Sequence, residues 1–463
     1  MVQWSESGRD VTDTFRYSEK IGKFLRDFFD RMDGAGVRYC VLHGYDTLPD
    51  FAPSDVDMVV DGRSYVAING LIQSTAKLHG LRVVQRLHYD VPYCFFYVLF
   101  FRQEDGAPGF IQLDFLYDPV GIGRYGMTSN ALLTGRRKRD GFYVPAAPVE
   151  ACYLFIKKAV KDVLLPHHET NIRSLFESEK QATAALLRRY FGRRVATRIT
   201  GHLASGGALD DPGLLRAARV SFWFHGLMLR PWKGIAKLVF LVIRLVKRLL
   251  FPAGLVVALV APDGGGKSAV AERLATRLRS AFRRVDRIHW RPYLLPPPRK
   301  LLQPWRWREA EQPNAAPHAR PKKGRFGSVA RFIYYVMDYW LGYLPKVYWP
   351  KARTSLVLME RYYYDFLVDM DRHRLDLPHW LPGALFPTIP KPDLLVLLVG
   401  EAKTIHSRKQ ELPVEVIAEQ LGRMELLSQR IDGVVTVSVE QPLEEEVEMI
   451  EDAILGTLEA RLA

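Results

Sequence analysis

Cysteine is scarce: Cys40, Cys94 and Cys152 are the whole supply in 463 residues. Three thiols so far apart exclude a disulfide framework and a cysteine-rich zinc site, and a reducing, cytoplasmic setting is expected. The opening MVQWSESGRDVTDTFRYSEK mixes charges of both signs. It lacks the apolar core of roughly 7 to 15 residues that a signal peptide needs, so the protein is expected to start inside the cell. Internal repeats at periods of about 20 to 50 residues are missing too, which excludes solenoids and propellers. With 48% apolar residues, general disorder is excluded. The length exceeds the roughly 150 residues of one domain, so several are expected.

Acidic residues are missing locally. Between Pro212 and Pro262 there is no Asp or Glu against eight basic residues, and between Arg291 and Arg331 only Glu309 and Glu311 stand against ten. Each stretch therefore carries a net +8 in a chain whose total is +14, and the remainder is slightly acidic. Partners bearing phosphate, or an anionic membrane face, would meet the chain at these two places.

The N-terminal part begins with an amphipathic helix over Glu19 to Asp33 and continues with apolar runs that predict strands at Val37 to Gly44, Asp55 to Asp61, Tyr93 to Arg102 and Phe110 to Leu116. A small mixed α/β sheet over residues 1–148 follows from these. Helical periods then take over through LFIKKAVKDVLL and EKQATAALLRRYFGRRVATRI, giving a helical appendage over 149–211 that ends at the turn cluster GGALDDPG. A basic amphipathic linker is expected over 212–253. From 254 to 463 five short, continuously apolar runs occur: Leu255 to Val260, Val285 to Trp290, Ser355 to Met359, Leu394 to Val399 and Val434 to Val439. Strands of a parallel sheet, buried on both faces, look like this, and the helical segments between most of them predict a doubly wound α/β domain.

Chemistry enters at APDGGGKS, Ala261 to Ser268, placed between the first of those strands and the helix SAVAERLATRL. Glycines let backbone N–H groups close around an anion while the helix N-terminus adds its positive end. Asp263, Gly264, Gly265, Gly266, Lys267 and Ser268 are thus candidates for nucleotide binding, with Lys267 reaching the β- and γ-phosphates of ATP and the Ser268 hydroxyl holding Mg2+. The strict pattern opens with glycine where this chain has Ala261, which matters only if that position needs a positive φ.

With ERYYYDFLVD (Glu360 to Asp369), KPDLLVLLV (Lys391 to Val399) and EAKTIHSRKQELPVEVIAEQLGRMELLSQ (Glu401 to Gln429) alongside that loop, the C-terminal part resembles thymidylate kinase-like P-loop kinases over about 210 residues. The resemblance implies an acidic role near the metal for Glu360, an acceptor-phosphate contact for Arg361 and a basic lid of Arg408 and Lys409. Glu360 stands where that family usually has Asp. The stretch RPYLLPPPRKLLQPWRWREAEQPNAAPHARPKKGR is long, proline-rich and basic, unlike a compact thymine pocket, so the acceptor is read as a nucleoside monophosphate or a related, sugar-type molecule.

In the N-terminal part, LHGYDTLPDFAPSDVDMVVD resembles the nucleotidyltransferase pattern, in which a turn precedes a strand carrying D-x-D. Asp55 and Asp57 lie two apart on one strand and point to one face, where they can share Mg2+. Asp114, centred in the apolar strand FIQLDFL, fits as the third carboxylate, because an acid there is costly unless it binds something. Tyr45 stands where a small hydroxyl residue usually contacts phosphate, and Lys157 is a candidate phosphate contact. Transfer activity of this domain is left open.

In AKLVFLVIRLVKRLLF (Ala236 to Phe251) the charges at Lys237, Arg244, Lys247 and Arg248 and the break at Pro252 argue against a membrane span. Two readings stay open, an interfacial helix on an anionic membrane or a helix packed between domains. For the whole chain the leading reading is a cytoplasmic, ATP-dependent kinase fused to a nucleotidyltransferase-like domain, with peripheral contact to an anionic membrane left open. The alternative is a non-catalytic, membrane-associated scaffold that binds nucleotide. Trp290, Trp305 and Trp307 among basic residues resemble a nucleic-acid surface, but they lie where a kinase acceptor site belongs, and nucleic acid is set aside.

Overall fold

The computed structural model describes residues 19–296 and 324–462, apart from 53–54, 89–92, 124, 163, 165, 230–231 and 379. Trp305, Trp307 and most of the basic proline-rich stretch lie outside the described residues. The chain divides into two compact units, Met1–Leu245 and Val246–Arg461.

In the N-terminal unit, α1 (Glu19–Gly34) leads into β1 (Tyr39–Val41), β2 (Val56–Val60), α2 (Tyr65–Leu78), β3 (Arg82–His88), β4 (Cys94–Arg102) and β5 (Pro108–Leu116). The sheet order is β1-β2-β5-β4-β3, antiparallel except where β2 runs parallel to β5. Alternation sorts the side chains. Tyr39, Val41, Met58, Leu113 and Phe115 join Phe24 and Phe28 of α1 in one core, while Cys40, Leu42 and Val59 join a second. After α3 (Ser129–Leu133) and the hairpin β6 (Arg137–Arg139) and β7 (Phe142–Val144), that second core is filled from α4 (Ala147–Lys161), α5 (Pro166–Ser178), α6 (Lys180–Ser205) and α7 (Pro212–Leu229). The expected helical appendage is thus a layer on the back of this sheet.

Helix α8 (Trp232–Leu250) runs across the division between the units. The C-terminal unit then alternates β8 (Leu255–Val260), α9 (Lys267–Arg277), β9 (Arg284–Ile288), α10 (Arg325–Tyr343), α11 (Trp349–Ala352), β10 (Ser355–Met359), α12 (Asp365–Val368), α13 (Trp380–Leu385), β11 (Leu394–Val399), α14 (Ala402–Arg408), α15 (Val414–Ser428), β12 (Val434–Ser438) and α16 (Leu443–Ala460). All five strands are parallel in the order β12-β11-β8-β10-β9. Every residue of β8 is buried because it is the central strand, flanked by β10 and β11. Chain order reverses across β8, which makes the C-terminal ends of β8 and β10 the place where such sheets bind ligands.

Candidate functional site

The loop after β8 closes through its glycines. Gly264 (φ +92) and Gly266 (φ +78) take left-handed conformations, and a Cβ on Gly264 would stand 2.9 Å from the Ile405 carbonyl oxygen. Gly265 leaves no room either, since a Cβ there would lie 2.8 Å from that of Ala261. Ala261 itself keeps a negative φ, so the missing first glycine costs nothing here. Lys267, the first residue of α9, bends back so that Nζ donates to the carbonyls of Ala261 (2.7 Å) and Pro262 (2.8 Å). Burial, reinforced by the like charge of Arg361, pushes this ammonium well below its ordinary pKa. A buried cation hydrogen-bonded to neutral carbonyls is relieved by an anion, and a glycine loop at a helix N-terminus could hold a phosphate.

The neighbouring strand β10 delivers the partners. Ser268 Oγ donates to Glu360 Oε2 at 2.6 Å, and Arg287, from β9, donates to Glu360 Oε1 at 2.6 Å. His289, 3.6 Å away, the Ser268 hydroxyl and Arg287 hold the carboxyl at about 2 against the burial that raises it. Glu360 is therefore ionised at neutral pH, and a hydroxyl beside a carboxylate is a hard-oxygen donor set that suits Mg2+. Next to it Arg361 donates to Asp365 Oδ2 at 2.8 Å and to Asp263 of the loop, and Arg372 also pairs with Asp263. Asp263, Arg361 and Asp365 are all buried.

The expected lid residues part company. Arg408 donates to the Val439 carbonyl at 2.5 Å, past the end of β12. Lys409 packs its Cβ 3.1 Å from where a Gly264 Cβ would be, while its ammonium pairs with Glu411 at 3.1 Å. Sequence reasoning missed Arg287, His289, Asp365 and Arg372. The run DMDRHR after the glutamate-arginine pair was a signal for Arg372, but which loop turns back onto Asp263 is a tertiary fact. Beyond β9, Trp290 stacks on His373 (centroids 4.3 Å apart, planes at 14°).

In the N-terminal unit the parallel pairing of β2 with β5 sets Asp57 opposite Asp114, on the sheet face toward α4. Asp55, Asp57 and Asp114 offer carboxylate oxygens that all lie within 4.8 Å of one another. Lys157, buried on α4, reaches Asp57 Oδ2 at 3.1 Å, and His43 Nε2 reaches the same oxygen at 2.5 Å and also contacts Lys157. Burial raises the Asp57 pKa, but Lys157 and then His43 outweigh it and hold the group well below the usual carboxylate range. Gln112 Nε2 donates to Asp114 Oδ1 at 2.7 Å. Tyr45 is turned away from any phosphate role: it is buried, and its hydroxyl donates to Glu150, which Arg137 also engages at 3.0 Å.

No family model and no curated protein matches the sequence. Solved structures do match. Deoxyadenosine kinase from M. mycoides, with the products dCMP and a flexible dCDP bound, is 13% identical, and the match covers 42% of this chain and 96% of that one at a TM-score of 0.27. Thymidylate kinase from Ehrlichia chaffeensis is 9% identical, with 44% of this chain and 100% of that one covered at a TM-score of 0.30. The structural neighbours are P-loop nucleoside and nucleotide kinases.

Proposed function

We propose that the C-terminal unit is an ATP-dependent phosphotransferase that passes the γ-phosphoryl group to a nucleoside monophosphate or a related, sugar-type acceptor. One observation carries this: a buried Lys267 hydrogen-bonded to two carbonyls of its own glycine loop, beside a Ser268 hydroxyl bonded to the ionised Glu360. Ser268 and Glu360 would hold Mg2+, which when bound neutralises phosphate charge. Lys267 would swing from the two loop carbonyls onto the phosphates as a point charge, and the α9 N-terminus would orient them. Arg361, fixed by Asp263 and Asp365, is offered to the acceptor phosphate, and Lys409 closes over the loop at Gly264. Arg408, with its hydrogen bond to Val439, would position the lid segment from behind. Catalysis is then placement and charge neutralisation, with no covalent enzyme intermediate.

The N-terminal unit is proposed to be nucleotidyltransferase-like and to bind a divalent cation on Asp55, Asp57 and Asp114, three hard oxygen donors of the kind Mg2+ and Mn2+ prefer. Lys157 and His43 keep Asp57 ionised in readiness.

Incubation with ATP and Mg2+ and a panel of nucleoside monophosphates and sugars, with ADP release followed for each, tests the phosphotransferase reading. Lys267→Ala should lower turnover on the order of 10²- to 10³-fold, as loss of one preorganised charge at a reacting group does. Unchanged ATP affinity and turnover in that variant would refute the assignment.

A further inference from the structure

Helix α8 wears its apolar side chains on the outside. Ile235 (68% exposed), Leu238 (62%) and Val242 (54%) face solvent, while Phe240, Arg244 and Arg248, spaced by four, form the more covered row. Soluble surface helices do the reverse. The helix also carries Lys233, Lys237, Arg244, Lys247 and Arg248 with no acidic residue. Among the described residues no helix is long and apolar enough to cross a membrane.

At the C-terminal end of α8, within the C-terminal unit, more positive charge gathers. Arg248 lies in the field of Arg283 and Arg353, and Arg283 is fixed next to Arg353 by its backbone N–H bond to the Thr354 carbonyl at 3.1 Å. The chain just past the helix is tied to the same place by Gly254 N–H to the Lys351 carbonyl at 3.0 Å, and the Tyr348 hydroxyl donates to the Leu249 carbonyl. Burial and then these two like charges lower Arg248 to about 10. Exposed Leu250, Phe251, Leu344 and Trp349 lie on the segments so tied.

We infer that α8 docks this protein on an anionic phospholipid bilayer, with the helix lying in the headgroup plane, its exposed apolar residues toward the acyl layer and the exposed Lys247 toward lipid phosphates. Charge decides the occupant. A second copy would set two all-basic helices against each other, whereas an anionic leaflet supplies both the apolar layer and the opposite charge. The inference is independent of the phosphoryl-transfer reading, since none of these residues belongs to that site.

The test is co-sedimentation of the full chain with vesicles of phosphatidylcholine alone or mixed with phosphatidylglycerol. Partition should favour the mixed vesicles and weaken as salt rises, because screening shortens the reach of the charges. Lys247→Gln should reduce partition about fivefold, as the loss of one cation near the surface does. Leu238→Ser with Val242→Ser should reduce it as well, with ATP binding and circular dichroism unchanged. Should the double serine variant misfold, Lys247→Gln alone, at an exposed position, still reads about fivefold. Equal partition on both vesicles, or none, would overturn the proposal. So would a dimer by light scattering that the serine variant dissolves without any vesicle binding, or saturable binding of inorganic phosphate without vesicle partition.

Discussion

Glu360 and Asp57 show two ways in which one carboxylate is kept charged inside a protein. Glu360 is buried, and His289, the Ser268 hydroxyl and Arg287 more than offset its loss of water, so its pKa stands at about 2 against an ordinary 4.5. The sign follows: a depressed carboxyl contributes stability that is complete above pH 4.5 and is lost as pH falls toward 2. The shift sets an upper limit of about 3 kcal/mol. Glu360→Gln should therefore lower stability at neutral pH by about 2 kcal/mol, and denaturant titrations of variant and parent should converge between pH 4.5 and 2. At Asp57 the balancing charge is Lys157, whose own pKa is raised by Asp57 against its burial. Asp55→Asn with Asp57→Asn should abolish Mn2+ binding in the N-terminal unit by calorimetric titration and leave ATP turnover in place. A parent protein that takes up no Mn2+ outside the phosphate loop would make the three carboxylates a structural trio held by Lys157 and Gln112.

At the scale of elements, the phosphate loop works because strand, turn and helix are joined without slack. β8 is buried on both faces, α9 starts within seven residues of its end, and α14 supplies the Ile405 carbonyl that roofs Gly264. Gly264→Ala must both adopt a positive φ and push against that carbonyl at 2.9 Å. Backbone strain of this kind costs on the order of 1 to 3 kcal/mol, so nucleotide affinity should fall by roughly 5- to 150-fold, measured by isothermal titration with a non-hydrolysable ATP analogue. The base of the same helix is anchored by Arg277, which meets Glu444, Glu448 and the fully buried Glu451 of α16. Removing it in Arg277→Ala strands Glu451 without its cation, and a loss of about 3 kcal/mol is expected in chemical denaturation.

At the scale of the whole molecule, two units with separate cores carry the two proposed sites. If nucleotide meets only the C-terminal unit, differential scanning calorimetry should resolve two transitions, and ATP with Mg2+ should raise one of them. The ligand adds about 2.7 kcal/mol at a hundredfold excess over its Kd. A single transition moving as one would show that the units unfold together.

Along the chain, what could be read from residue order is what depends on local periodicity. Leu255–Val260, Ser355–Met359 and Leu394–Val399 are strands to the residue, because short, largely apolar runs rich in Val and Leu and too brief for a helix suit strands buried on both faces. The turn at Gly264 to Gly266 was legible because glycine adopts the positive φ of Gly264 and Gly266 without steric cost. Strand β3, Arg82–His88, was missed: an edge strand carrying Arg82, Arg86 and His88 shows too weak an alternation to stand out. Helix α8 was read as Ala236 to Phe251 and runs from Trp232 to Leu250, and its composition names an amphipathic helix but not which row of side chains is covered. Tertiary structure alone decided that Tyr45 serves Glu150 instead of a phosphate, that Lys157 sits on Asp57, that Arg408 turns to Val439 and that Arg372 joins Arg361 on Asp263. Each of these pairs residues from about 30 to about 110 positions apart. Sequence patterns encode the face a side chain occupies, whereas its partner is set by sheet order and loop paths, which bring distant charges together only after the chain has folded.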